Sequence, residues 1–252
     1  MRRLAPIAML MVLASLLFLF GARDTFSRSA SATPRLIVWA WERPEDLRFL
    51  SDNVGVAYLA GSIDLLPQPV LRPRLQPLRV TERTAITAVV RIETSPQTPP
   101  SFSPEYRDRV AELALEASTA SQVSALQIDF DAIASQRDFY RDLLKEIRRR
   151  LPPSMPLSIT ALGSWCMGDD WIADLPIDDA VPMMFRMGPD RAQILRTLND
   201  GEDFKEPLCR HSVGVSTDEP WPESLLNRQV YVFNPRAWNR YGFQVVERKL
   251  QP

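Results

Sequence analysis

The chain has 252 residues, with 30 basic against 31 acidic side chains and a formal charge of -1. That balance excludes the basic face of a nucleic-acid binder and the acidic tail of a disordered partner. At 45% hydrophobic and 24% charged the composition is that of a globular protein, and the roughly 220 residues beyond an N-terminal leader suffice for one sizeable core.

The leader is the first feature in the chain. Arg2 and Arg3 precede an uncharged apolar stretch over residues 4–20, the order read by the export machinery. Ala30-Ser31-Ala32 suits a leader peptidase, whereas the length of the apolar run also suits a retained membrane span. No cysteine follows the stretch, which excludes a lipoprotein anchor. Residues 1–32 are therefore expected to be a signal peptide or membrane anchor with its linker. The domain over residues 33–252 is expected to be exported, periplasmic or extracellular, and tethered to the inner membrane if the leader stays.

Beyond the linker, strand-like and helix-like stretches alternate. Strands are expected over residues 36–41, 54–60, 84–93, 125–131, 157–162, 180–185, 212–216 and 229–233. Helices are expected over 44–50, 104–118, 135–150 and 189–198, with a closing helix or strand over 243–250. Ser103 followed by Pro104 and Glu105 marks one helix start, and three arginines ending at Arg150 suit the negative end of another. Eight short apolar strands separated by helical patterns predict a parallel sheet covered on both faces, closing as a small (β/α)8 TIM-like barrel. A doubly wound open sheet is the alternative, but its glycine-rich phosphate turn is missing. Two cysteines, Cys166 and Cys209, would meet an oxidising compartment after export, which favours a bridge. Their expected places, just after one strand and just before another, lie at opposite ends of the barrel and argue against it.

In such a barrel, chemistry sits at the carboxyl ends of the strands. Strand alternation puts Gln127, Asp129 and Asp131 on one side of the fourth strand and Leu126, Ile128 and Phe130 on the other. The polar set would face the lumen, with two carboxylates stacked toward its mouth. Acids so close do not both ionise easily, and one raised pKa would serve a general acid. The alternative is that Asp129 pairs with Arg91 or Arg186 and plugs the barrel, while Asp131 caps a loop. Other strand ends add Glu42, Glu93, Arg186, Glu219 and Asn234. With Trp41, Trp165, Tyr231 and Trp238 these acids suit a sugar, which offers hydroxyls at its rim and apolar faces for stacking. Trp39 and Trp41 share a face that would meet either the lumen or the helix layer.

Absences narrow the chemistry further. The one histidine, His211, lies at the amino end of the seventh strand, so serine or cysteine nucleophile mechanisms lack their base. No histidine-based zinc site, P-loop or dinucleotide fingerprint occurs. Carboxylate chemistry remains, alone or with a hard metal such as calcium or magnesium, or else binding without chemistry; no cofactor and no metal site is assigned.

Three blocks carry a family resemblance: Leu126-Gln-Ile-Asp-Phe-Asp-Ala132, Leu157-Ser-Ile-Thr-Ala-Leu-Gly-Ser-Trp-Cys166 and Val181-Pro-Met-Met-Phe-Arg-Met-Gly188. They resemble the core of a bacterial family of exported proteins carrying a domain-of-unknown-function label, and the likeness spans residues 36–239. It implies a glycoside-hydrolase-like barrel. A more distant likeness is to chitinase-like glycoside hydrolases, whose fourth strand ends Asp-x-Asp-x-Glu and whose sixth ends Met-x-Tyr-Asp. Asp129 and Asp131 match the two aspartates. The proton-donating glutamate falls at Ile133, and Phe185 and Arg186 replace the tyrosine and aspartate. The expected function is therefore a sugar-directed hydrolase. Asp131 would be general acid, Asp129 its electrostatic partner, Glu219 or Glu93 the second carboxylate, and Arg186 the group orienting them. Trp41, Glu42, Gln127, Trp165, Tyr231, Asn234 and Trp238 would contact the polysaccharide. The alternatives are a noncatalytic carbohydrate- or envelope-binding barrel that has lost its proton donor, and a structural barrel with a plugged mouth.

Overall fold

A computed structural model describes residues 34–95, 100–120, 122–223 and 227–250. The expected leader, residues 1–32, lies outside them. Eight parallel strands run in chain order around a closed barrel: β1 (Leu36–Ala40), β2 (Val54–Leu65), β3 (Ile86–Thr94), β4 (Val123–Asp129), β5 (Leu157–Leu162), β6 (Asp179–Met183), β7 (Ser212–Ser216) and β8 (Gln229–Phe233). Each pairs with its sequence neighbours, and β1 closes the ring by pairing with both β2 and β8. The expected barrel is thus the fold.

Alternation along the strands sorts the apolar residues into two layers. On β1, Leu36, Val38 and Ala40 join the large outer core against the helices, whereas Ile37 and Trp39 point into the lumen. Ala57, Val89, Val181 and Tyr231 complete the lumen layer. The face shared by Trp39 and Trp41 is therefore the inner one. Trp39 is admitted by Gly214 of β7, where an added Cβ would lie 2.7 Å from Trp39 Cη2.

The helices are α1 (Pro104–Ala117), α2 (Arg137–Arg150), α3 (Gly163–Cys166), α4 (Arg191–Asn199) and α5 (Arg240–Leu250). Ser103 Oγ accepts the Tyr106 amide at 3.2 Å to cap α1, with proline at the first position. The α2 helix buries Phe139, Tyr140, Leu143, Leu144 and Ile147, a spacing that makes one continuous stripe.

The structure departs from the expected elements in three places. The stretch expected as a helix over residues 44–50 instead forms a short strand, Glu45–Asp46, paired with Leu78–Arg79. Its amides are taken by Pro77 O and Arg79 O, and the buried Glu45 carboxylate accepts the Trp238 amide at 2.9 Å. The β2 strand runs five residues past its expected end, and its tip pairs antiparallel with Val70–Pro73. Finally, Cys166 and Cys209 form a disulfide with Cα atoms 5.8 Å apart. The placement at opposite ends of the barrel fails because the chain does not run straight down after β5. The α3 turn and the 3-10 turn Pro207–Cys209 both pack against β6, and Cys166 O accepts the Lys205 and Glu206 amides.

Candidate active site at the barrel mouth

The lumen is built in tiers. At the lower tier Trp39 Nε1 donates to Gln127 Oε1 at 3.0 Å, and Gln127 Nε2 donates to Ser158 Oγ at 3.3 Å. One step up, Arg91 and Asp129 face each other in the parallel register of β3 and β4. Arg91 Nη1 donates to Asp129 Oδ2 at 3.1 Å, and Thr160 Oγ1 donates to Asp129 Oδ1 at 2.7 Å. Arg91 Nε also reaches Glu93 Oε1 at 2.9 Å, and Glu93 in turn meets Arg72. Asp129 is only 4% exposed. Burial raises its carboxyl pKa, against the opposing pull of Arg91 and the Thr160 hydrogen bond.

Above this tier lies a cavity of about 110 Å³. Its floor is Asp129 and Thr160, and its wall is Trp39, Trp41, Phe185 and Phe233. Phe185 and Phe233 stack with centroids 5.6 Å apart, Trp41 meets Phe233 edge-on at 6.1 Å, and Arg91 lies 5.9 Å over the Trp41 ring. Asp131 and Arg186 stand at the rim. Both also line an adjoining cleft of about 350 Å³ over the β5 and β6 ends, which shares Arg91, Met183 and Phe185 with the inner cavity. The inner cavity alone is smaller than the several hundred Å³ of an ordinary ligand pocket, whereas the cleft reaches that range.

Asp131 is exposed, two residues beyond the end of β4. Arg186 sits on a left-handed backbone with φ 51°, its guanidinium 5.3 Å over Phe233. The Arg186 amide donates to Glu219 Oε1 at 2.9 Å, and Glu219 Oε2 also pairs with Arg191.

The mouth thus gathers Asp129, Asp131, Arg186 and Trp41 from the expected set. The others fall elsewhere. Glu219 clamps the β6 loop and Glu93 sits between two arginines, so neither carboxylate lines the inner cavity. Glu42 accepts the Leu75 and Gln76 amides. Gln127 and Tyr231 are buried in the lumen beneath the pocket, where Tyr231 packs 5.2 Å from Trp39. Trp165 packs edge-on to Trp171 in the outer core. Trp238 is buried too, its Nε1 donating to Trp39 O at 2.9 Å. Asn234 lines a separate cavity beside α5 and accepts from Thr217 Oγ1. Residues not singled out from the sequence are Thr160, Phe185 as a wall, and Phe233. Counting two from Tyr231, and two from Ser158, would have placed Phe233 and Thr160 on the inner face. Among the described residues, no cluster of three or more histidine, cysteine or acidic side chains is arranged to hold a metal ion.

The molecule is thus a closed, TIM-like parallel barrel with a buried, arginine-paired carboxylate beneath an aromatic mouth. Residues 82–182, the stretch holding β3, β4, β5 and most of β6, match the family described as a domain of unknown function, DUF3142. No curated protein matches the chain. Among solved structures it is similar to the spore cortex-lytic enzyme SleL of Bacillus cereus, at 13% identity and a TM-score of 0.45. That likeness covers 72% of this chain and 50% of that enzyme, so the chain spans about half of its length.

Proposed function

We propose that this protein is an exported carbohydrate-active barrel whose polysaccharide lies across the mouth formed by Asp129, Asp131 and the aromatic wall. One observation carries the reading: an exposed carboxylate, Asp131, stands at the junction of an aromatic pocket and an open cleft, directly above a buried, neutralised carboxylate. Aromatic faces suit the apolar faces of a sugar ring, and the carboxyl groups suit its hydroxyls. In the hydrolytic form Asp131 is the general acid that protonates the glycosidic oxygen as its bond to the anomeric carbon breaks; water then adds at that carbon and returns its proton to the Asp131 carboxylate. Asp129, held by Arg91 and Thr160, sets the field beneath it, and Glu219 positions the Arg186 loop. The cystine Cys166–Cys209 supports residence outside the cytoplasm, with residues 1–32 as a cleaved leader or an anchor to the inner membrane.

A specific observation favours the noncatalytic alternative. At the position of the chitinase-like proton donor stands Ile133, 62% exposed and lining neither cavity. A two-carboxylate mechanism must then rest on Asp129 and Asp131 alone. The deciding experiment is reducing-end release from bacterial and plant polysaccharides by the purified protein and by Asp131→Asn. Release that disappears in a folded variant supports hydrolysis. Saccharide binding without release, left largely intact by the substitution, supports a binding barrel.

A further inference from the structure

The two arginines of the mouth are not equivalent. Arg91 is engaged by Asp129 and Glu93. Arg191, below the β6 loop, is engaged by Glu219. Among the described residues, no carboxylate lies within ion-pair distance of the Arg186 guanidinium, which instead lies over the Phe233 ring. Among the described residues the Arg186 guanidinium also donates no side-chain hydrogen bond, so its N–H groups are available to grip a carboxylate with two parallel hydrogen bonds. Its placement is also enforced. A left-handed backbone is disfavoured at an arginine and persists only where the surroundings hold it. Here Glu219 holds it by accepting the Arg186 amide while itself clamped by Arg191. The result is a cation with no carboxylate partner among the described residues, fixed at the boundary between the inner cavity and the cleft, on the rim it shares with Asp131.

We propose that Arg186 recognises a carboxylate on the saccharide, so that the substrate class is acidic: a polymer whose sugars bear a ring carboxylate or an ether-linked one. This rests on the carbohydrate reading above and narrows it. An arginine that is merely solvated would not distinguish an acid from its ester.

The test is calorimetric titration of the full chain with two matched pairs. One pair is an oligouronate and its methyl ester; the other is a lactyl-ether amino-sugar oligomer and its methyl ester. A neutral gluco-oligosaccharide is titrated beside them. The expected result is that one acid binds at least ~10-fold tighter than its own ester, the responding pair identifying the source of the carboxylate. Arg186→Gln should erase that preference, weakening acid binding far more than ester binding at an unchanged melting temperature, and Arg186→Lys should keep part of it. Equal affinity for acid and ester in both pairs, with binding present, overturns the proposal and leaves the carbohydrate reading standing. No binding to any saccharide overturns both.

Discussion

Gly214 of β7 and Trp39 of β1 interlock across the lumen: the Cβ that Gly214 lacks would lie 2.7 Å from Trp39 Cη2 and 3.0 Å from its Cζ3. No real Cβ sits that close to an indole carbon, and Trp39 is itself fixed by its bond to Gln127. Gly214→Ala should therefore displace the indole, break that bond and destabilise the fold by about 1–3 kcal/mol, the usual cost of overpacking. Near-UV circular dichroism should change with the melting temperature. Combining it with Trp39→Phe should recover part of the loss, giving a coupling of about 0.5–3 kcal/mol. Strictly additive effects would mean that the two residues do not share this space.

Asp129 depends on Arg91 for most of its compensation. Arg91→Met leaves a buried carboxylate with Thr160 as its remaining side-chain partner. Breaking a buried pair costs about 3–5 kcal/mol, and the part-exposed guanidinium reduces that to roughly 2 kcal/mol here. The sign with pH follows from the raised Asp129 pKa. A carboxyl that holds its proton more tightly when folded penalises the native state only once it ionises, and losing Arg91 raises that pKa further. The deficit of Arg91→Met should thus be large at neutral pH and shrink on acidification. A deficit that grows as pH falls would contradict the pairing.

The barrel was readable because strand residues alternate and helix residues do not. On β4 the polar set Gln127 and Asp129 could face only a lumen, since Leu126 and Ile128 needed the helix layer. Trp39 was ambiguous because both layers of a barrel accept an indole. Aromatics near strand ends carry no label of their own: Trp41 reached the mouth, whereas Trp165 and Trp238 packed into the core. Glu42 and Glu219 look alike in sequence to a catalytic acid, yet Glu42 Oε1 accepts the Leu75 and Gln76 amides, and Glu219 accepts the Arg186 amide and pairs with Arg191. Loop paths decided that outcome, and they decided the cystine as well, because periodicity says nothing of where α3 turns.

The Cys166–Cys209 bridge closes a loop across a sequence separation of 43 residues. The loop-entropy relation puts its stabilisation at about 4 kcal/mol. It also tethers α3 to the segment that leads into β7, beneath the β6 loop that carries Arg186. Reduction, or replacement of both cysteines by serine, should lower the denaturation midpoint by an amount of that order. An unchanged midpoint in dithiothreitol would show that packing alone holds α3 in place.

At the opposite end of the barrel, Asp179 opens β6 with one carboxylate oxygen, Oδ1, buried and without a hydrogen-bond partner among the described residues. His211 Nδ1 is 4.0 Å from it. Burial raises the Asp179 pKa to about 6, outweighing a Ser212 hydrogen bond, the attraction of His211 and the Ala180 amide, while Asp178 adds repulsion. The folded value stands above the unfolded one of 3.8, so the native state binds this proton more tightly. Stability from this group is then full below about pH 4 and is lost as pH rises through 6. Asp179→Asn keeps the shape without the charge. It should match the parent near pH 4 and exceed it by about 1–3 kcal/mol at pH 7.5, taking roughly two pKa units at 1.36 kcal/mol each as the upper bound. Urea denaturation of both proteins across that range measures the difference directly. If the variant is less stable than the parent at pH 7.5, the carboxylate is being held by a partner rather than tolerated, and the pH dependence of the fold must come from Asp129 instead.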